Sequence, residues 1–188
     1  PASNLASIRT IGEQQASTLP INYQIQMLAQ LDTYTALIVA GMQGHNKSVT
    51  YNEVFKNDTV ILAPIAEAEC SSTVGVQLGT AMSIYAAGIG QGTLTGYGRL
   101  QSGFMSIPVI DTFLKKDSQP GLAPLNKKVF IYQGEADTTV PKAATDLLIA
   151  SMKANGTSAS NIQYTTSAAW DHGTVYTQNY TSFVDNID

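Results

Sequence analysis

The chain has 188 residues, of which 44% are apolar and 13% are charged, and its formal net charge is -4. This size and apolar content predict a folded globular protein and exclude a disordered one. No apolar run reaches the roughly 18 residues that a membrane span needs, and the negative charge balance excludes a nucleic-acid-binding surface.

The first two thirds of the chain are predicted to form helices and loops. Apolar side chains recur at three- and four-residue spacing from Tyr23 to Met42, which predicts a long helix. No internal repeat or charged linker divides this region. The other expected elements, in chain order, are a helix over 58–70 broken near Pro64, a helix over 72–87, a glycine-rich loop over 88–103 and a short helix over 107–116.

The last third of the chain predicts parallel strands joined by a helix. Val129–Tyr132 is an apolar run of β-branched and aromatic residues, as found in a strand buried on both faces. The order strand, helix, strand, loop, helix is typical of the end of a parallel α/β sheet. The elements that follow the first strand are a helix over 141–154, a strand over 161–165, a loop around 170–173 and a closing helix over 174–187.

The loops after the two predicted strands hold the candidate catalytic residues. Asp137 follows the first strand and His172 follows the second. Such loops meet at the carboxyl edge of an open α/β sheet, where a carboxylate can orient an imidazole and stabilise its protonated form. We therefore predict that Asp137 and His172 are a catalytic acid and base, with a carboxylate oxygen about 2.6–3.2 Å from a ring nitrogen.

No nucleophile is assigned within this chain. Asp137 and His172 take the second and third places in the α/β-hydrolase order of nucleophile, acid and base. The sequence holds no Gly-x-Ser-x-Gly motif, and its nearest approach, 156–160, lies between a helix and a strand. One cysteine, Cys70, and two histidines are also too few for a cysteine-based metal site, so we expect no metal and no cofactor.

Around Asp137 and His172 the chain resembles the secretory lipase family of α/β-hydrolases. Specific motifs occur only after Gly121, and the likeness before them is weaker. The matching segments are 120–124, 129–141 and 171–173, with weaker likeness in 67–70, 40–41 and 1–5.

The resemblance implies both an architecture and an activity. It makes residues 119–188 the carboxyl-terminal portion of an α/β-hydrolase fold, with parallel strands and flanking helices that carry the acid Asp137 and the base His172. Residues 10–118 become a mostly helical cap or lid, and residues 1–9 an entry loop at the sheet edge. The implied reaction is hydrolysis of carboxylic esters, as in triacylglycerol lipases, with serine, oxyanion hole and central strands supplied upstream.

Two expectations about packing follow from this assignment. Helical residues from about 23 to 87 should lie on the carboxyl-end side of the strands and leave an apolar pocket near His172 for an acyl chain. The strand over 129–132 needs neighbours, which we expect from a missing amino-terminal segment or from a second copy of the chain. Because the chain begins with Pro1 rather than Met, we expect processing or a break in a longer protein.

The composition favours a secreted protein. Charged residues are few, and Ser, Thr, Asn and Gln are abundant, as is typical of exported proteins. The four Asn-x-Ser/Thr sequons, at Asn46, Asn57, Asn155 and Asn179, are compatible with glycosylation. We expect Cys70 to be buried rather than paired with another chain, and His45 to be exposed and non-catalytic.

Two other interpretations also fit the sequence. The chain could be a non-catalytic binding or interaction module that keeps the end of a hydrolase fold without its chemistry. It could also be an unrelated α/β domain in which Asp137 and His172 are incidental. A strand followed by Gly-x-Ser-x-Gly upstream of Pro1 would favour the enzyme, and its absence would favour the module.

Overall fold

A computed structural model describes residues 4–186 of the chain. These residues form two compact units, which we call the helical unit, Glu13–Thr112, and the sheet unit, residues 4–12 together with 113–186. Helices make up most of the structure, and its one sheet is small and parallel. This mixture is compatible with the predicted α/β class.

The helical unit is organised around two long helices that pack against each other. A β-carbon on Gly79 would lie 3.5 Å from that of Ala29, so small residues allow the two helices to approach closely. Leu78 and Met82 are fully buried in the resulting core. The helices up to residue 112 are α1 (Asn4–Ala16), α2 (Ile21–His45), α3 (Tyr51–Val54), α4 (Asn57–Leu62), α5 (Ser71–Ala87) and α6 (Pro108–Thr112), with 3-10 turns at Ala63–Glu67 and Phe104–Ser106.

The entry loop expected over residues 1–9 is wrong in its described part, because Asn4 opens helix α1. Apolar Leu5, Ile8 and Ile11 recur at three-residue spacing, and no proline interrupts the segment. Local helix propensity therefore decides the structure of this segment. Residues 1–3 of the expected loop lie outside the described residues.

A buried ion pair closes the glycine-rich loop of the helical unit. Asp32 on α2 is fully buried, and Nη1 of Arg99 donates to both of its carboxylate oxygens at 2.8 and 2.9 Å. Nη2 of Arg99 donates to Glu13 at 3.0 Å. Burial, the largest influence, acts to lower the pKa of Arg99, but the two carboxylates together raise it. The guanidinium therefore stays charged inside the unit.

Substituting Asp32 with asparagine should destabilise the protein by about 3 kcal/mol, because removing one partner of a buried pair leaves the other charge uncompensated. The matched control is Glu13→Gln, since the Glu13 side chain is 38% exposed. That change should cost less than about 1 kcal/mol. Urea unfolding at neutral pH measures both values, and equal losses would contradict a central role for Asp32.

The sheet unit contains two parallel strands, β1 (Val129–Gly134) and β2 (Ile162–Ser167). Helix α7 (Lys142–Ala154) connects them, so the predicted order of strand, helix and strand is confirmed. The register pairs the first residues of the strands and also the last, which brings both carboxyl ends to one edge. The unit also has a π-helical turn at Phe113–Asp117, a 3-10 turn at Ala159–Asn161, and helices α8 (Thr174–Gln178) and α9 (Tyr180–Asp185).

Strand β1 is only half-buried, although its sequence is typical of a strand covered on both faces. Residues 129–132 are all partly exposed, and only Gln133 and Gly134 are buried. Within residues 4–186 the sheet has no third strand, so the outer edge of β1 is unpaired there. Apolar parallel strands normally lie inside larger sheets. The apolar composition of β1 is thus typical of a strand that pairs with a neighbouring strand on each side.

The closing helix expected over 174–187 is two short helices, because Asn179 interrupts it. The Asn179 side chain donates from Nδ2 to the carbonyl oxygen of Val175 at 2.8 Å. Asparagine competes in this way for backbone groups and is disfavoured inside helices. Ile187, the last residue of the expected helix, lies outside the described residues.

Cys70 is exposed, so the expectation that it is buried is wrong. It is the extended residue directly before α5, where the chain turns at the surface into the helix. Its thiol therefore faces solvent instead of the core. In the part of the chain that the structure describes, no helix is both long enough and apolar enough to cross a membrane.

Candidate active site

The loop after β1 fixes the orientation of the Asp137 carboxylate. Oδ1 of Asp137 accepts backbone N–H hydrogen bonds from Thr139 and Val140, both at 2.8 Å. This Asx-type turn buries the carboxyl group and fully engages one of its oxygens. The second oxygen, Oδ2, is thereby aimed away from the turn.

The loop after β2 is held by a second aspartate, Asp171. Its Oδ1 accepts hydrogen bonds from Gly173 N, Thr174 N and Thr174 Oγ1 at 2.7–3.0 Å, which caps α8. These bonds, led by the backbone N–H of Thr174, lower the pKa of Asp171. Because the pKa of Asp171 is lower in the folded than in the unfolded protein, the cap stabilises the loop at pH values above the ordinary pKa of aspartate. This stabilisation is lost as the pH falls through the folded pKa.

Asp137 and His172 are in direct contact, and their predicted hydrogen bond is present. Nδ1 of His172 lies 3.0 Å from Oδ2 of Asp137. An ionised carboxylate only accepts, so this contact favours the tautomer with the proton on Nδ1. The His172 side chain is 54% exposed, and Nε2 has no hydrogen-bond partner within residues 4–186. The ring can therefore accept a proton at Nε2 while Asp137 holds Nδ1.

Backbone hydrogen bonds tie the two loops to each other. Glu135 N donates to the carbonyl oxygen of Ser167 at 3.0 Å, and Ala136 N donates to that of Trp170 at 3.1 Å. The Thr166 hydroxyl also donates to the Glu135 carboxylate at 2.8 Å. The loop that carries Asp137, called the acid loop, and the loop that carries His172, called the base loop, are thus bonded to each other beyond the carboxyl ends of the strands.

Alanine at position 134 should separate these loops. A β-carbon there would overlap the carbonyl oxygen of Trp170 and lie 2.8 Å from its carbonyl carbon. We expect Gly134→Ala to cost about 1–3 kcal/mol, as overpacking does. Gly173→Ala is the matched control, since its nearest neighbouring atom is 3.7 Å away. Urea unfolding should show a loss for the first variant alone, and equal losses would contradict the close approach.

Gln133 is a positioning residue that sequence reasoning missed. Its Nε2 donates to the carbonyl oxygens of Gly134 and Val140, both at 2.9 Å, so it holds both ends of the acid loop. Its Oε1 accepts from the Thr145 hydroxyl at 2.5 Å. A buried amide without such partners would be costly. The sequence feature that could have indicated this role is an amide side chain directly after the apolar run of the strand.

The other predicted residues take no part in this arrangement. His45 is exposed at the end of α2, as expected. Within residues 4–186, Asp137 is the only hydrogen-bond partner of His172, and no hydroxyl or thiol is bonded to its ring. The described residues also contain no group of three His, Cys, Asp or Glu side chains that could hold a metal ion.

The helical unit has an open groove of its own between α2 and α5. Its volume is about 520 Å³. Ile25, Val76 and Ile84 line it together with small and amide side chains, and no charged residue does. The pocket predicted near His172 stays a prediction.

Comparison with known proteins does not assign a family. Family models, curated proteins and solved structures each gave no match to this chain.

Proposed function

We propose that this chain is the acid–base and lid portion of a secreted carboxylic ester hydrolase of the serine type, related to the secretory lipases. The observation that carries the proposal is the 3.0 Å contact between Asp137 and His172 beyond the ends of adjacent parallel strands. A buried carboxylate that orients an exposed imidazole is the acid–base half of a catalytic triad. The substrate class we propose is a lipid ester.

In this mechanism His172 handles every proton. Nε2 takes the proton of a serine hydroxyl as the serine attacks the ester carbonyl, and returns it to the leaving alcohol. In the second half it takes a proton from water, which attacks the acyl-enzyme, and returns that proton to the serine. Asp137 keeps the ring oriented and stabilises the imidazolium at each step. Backbone N–H donors are the expected oxyanion hole.

We propose that the serine comes from a segment that precedes residue 1 in the full-length protein. The sequence of the chain holds no Gly-x-Ser-x-Gly motif of its own. Among residues 4–186 the outer edge of β1 is unpaired and the strand is only half-buried, which supports this proposal because further strands can pair there. A second copy of the chain is the other candidate for covering β1, although it would bring no such motif.

We further propose that the helical unit, Glu13–Thr112, serves as the lid. Its open groove between α2 and α5 carries exposed apolar side chains and no charged residue, which supports the assignment. A lipase needs such a surface because the acyl chain must leave water before it reaches the serine.

The experiment that tests the proposed function compares this chain with the full-length protein. The full-length protein should hydrolyse p-nitrophenyl esters of short and medium fatty acids, and its upstream sequence should contain Gly-x-Ser-x-Gly after a strand. The 188-residue chain alone should show no hydrolysis above a histidine background. A full-length protein that is folded, inactive and without the motif would favour the non-catalytic binding module.

A further inference from the structure

The four sequons of the chain lie in very different environments. An N-linked glycan needs a solvent-exposed attachment point, because the sugar cannot be packed inside a domain. The asparagine must also give up one hydrogen of its amide nitrogen. Burial and hydrogen bonding at Nδ2 therefore separate the sequons that tolerate a glycan in this fold from those that do not.

Asn46 is partly exposed, and its amide nitrogen meets the second requirement. It follows the last residue of α2, and its Oδ1 accepts from Ser48 N at 3.0 Å and from Ser48 Oγ at 2.8 Å. This Asx turn engages the oxygen of the amide and leaves Nδ2 without a partner within residues 4–186. Lys47 and Ser48 are exposed, while Val49 is buried and anchors the turn.

The other three asparagines use their amide nitrogens inside the fold. Asn179 is only 7% exposed, and Nδ2 donates to Val175. Nδ2 of Asn155 donates to the carbonyl oxygen of Gly121 at 3.0 Å and approaches Ser151 Oγ at 3.5 Å, which uses both hydrogens.

Asn57 is exposed but strained and crowded. Its φ of 50° lies in the left-handed region, and Nδ2 donates to the carbonyl oxygen of Gly98 at 3.1 Å. A glycan at this position would crowd the glycine-rich loop, because the nitrogen packs against Gly98. The hydroxyl of the same sequon, on Thr59, is buried and donates to the carbonyl oxygen of Arg99.

We infer that Asn46 is an N-glycosylation site of this protein, an inference that rests on the export part of the proposed function. The donor is an oligosaccharide linked through N-acetylglucosamine to a lipid diphosphate. Nδ2 of Asn46 attacks C1 of that sugar, the bond from C1 to the diphosphate oxygen breaks, and one amide proton leaves with the lipid diphosphate. Nothing is oxidised or reduced.

The fold matters even though such transfer takes place on a chain that has not yet folded. A glycan on Asn179 would have to enter the buried turn between α8 and α9, and one on Asn155 would displace a hydrogen bond to Gly121. Chains modified there fold poorly and are depleted from secreted material. The turn at Asn46 uses only the amide oxygen, so it can close with a glycan on Nδ2, and folded protein retains the glycan.

The test is a site map of the full-length protein secreted from a yeast host. Peptide-N-glycosidase converts each glycosylated asparagine to aspartate, so peptide mass spectrometry reports the occupancy of all four sequons. We expect high occupancy at Asn46, lower occupancy at Asn57 and none at Asn155 or Asn179. Asn46→Gln and Ser48→Ala should each remove the modification from this peptide, and Ser48→Thr should keep it.

Two results would overturn the inference. One is secreted, folded protein in which Asn46 is unmodified, and the other is equal occupancy at Asn46 and at Asn155 or Asn179. The map does not depend on catalysis, whereas the ester assay does not depend on glycans. A failure of the glycosylation site can thus be distinguished from a failure of the proposed activity.

Discussion

Replacing His172 with alanine is expected to lower kcat of the full-length protein on an ester by about 10⁶-fold, the loss seen when a triad base is removed. The side chain has one ring nitrogen on Asp137 and the other open to solvent in the described residues, so no neighbouring group can replace it as a base. Initial-rate assays with a p-nitrophenyl ester measure the loss, and circular dichroism checks that the variant is folded.

The matched control for this change is His45→Ala. His45 is the other histidine of the chain, is exposed at the end of α2, and should be replaceable without loss of activity. If His172→Ala retained activity within about tenfold of the parent, a role as general base would be untenable, since such bases contribute 10²-fold or more.

Replacing Asp137 with asparagine is expected to lower kcat by about 10⁴-fold, through the tautomer of His172. Thr139 N and Val140 N both donate to Oδ1, so the asparagine oxygen must take that position. Its amide nitrogen then faces Nδ1 of His172 and donates to it. The ring carries its proton on Nε2 instead, where it can no longer accept one from serine.

Nitrogen-15 NMR of His172 reads this change directly. The parent protein should show the proton on Nδ1. Asp137→Asn should show the proton on Nε2, and the same variant should show the loss of kcat. Asp171→Asn is the matched control. Asp171 caps α8 through one oxygen, and the side-chain amide of an asparagine retains an oxygen that can accept the same hydrogen bonds. An equal loss of kcat in both variants would contradict the choice of Asp137 as the acid.

The strands, their helix and the contact between Asp137 and His172 could be predicted from the sequence. The sequence shows an apolar β-branched run, then a helix with a proline at its start, then a second run. This order predicts that the two strands pair in parallel. Parallel pairing brings both carboxyl ends to one edge, and the loops follow. The contact is thus a consequence of topology, which local patterns reveal.

Other features could not be predicted, because they depend on long-range packing or on competition between local interactions. The ion pair of Asp32 and Arg99 joins residues that lie 67 positions apart, and no sequence pattern indicates that the two side chains meet. The break at Asn179 is decided by one side chain that competes for a backbone carbonyl. The loop-positioning role of Gln133 emerges only once both ends of the acid loop are placed.

The most direct measurement of the central claim is labelling of the full-length protein with a fluorophosphonate, followed by peptide mass spectrometry. Fluorophosphonates react only with a serine that a base has activated. We predict one labelled serine, in a Gly-x-Ser-x-Gly motif outside these 188 residues, and no label after His172→Ala. Labelling of a serine within the chain, or labelling that persists without His172, would contradict the account.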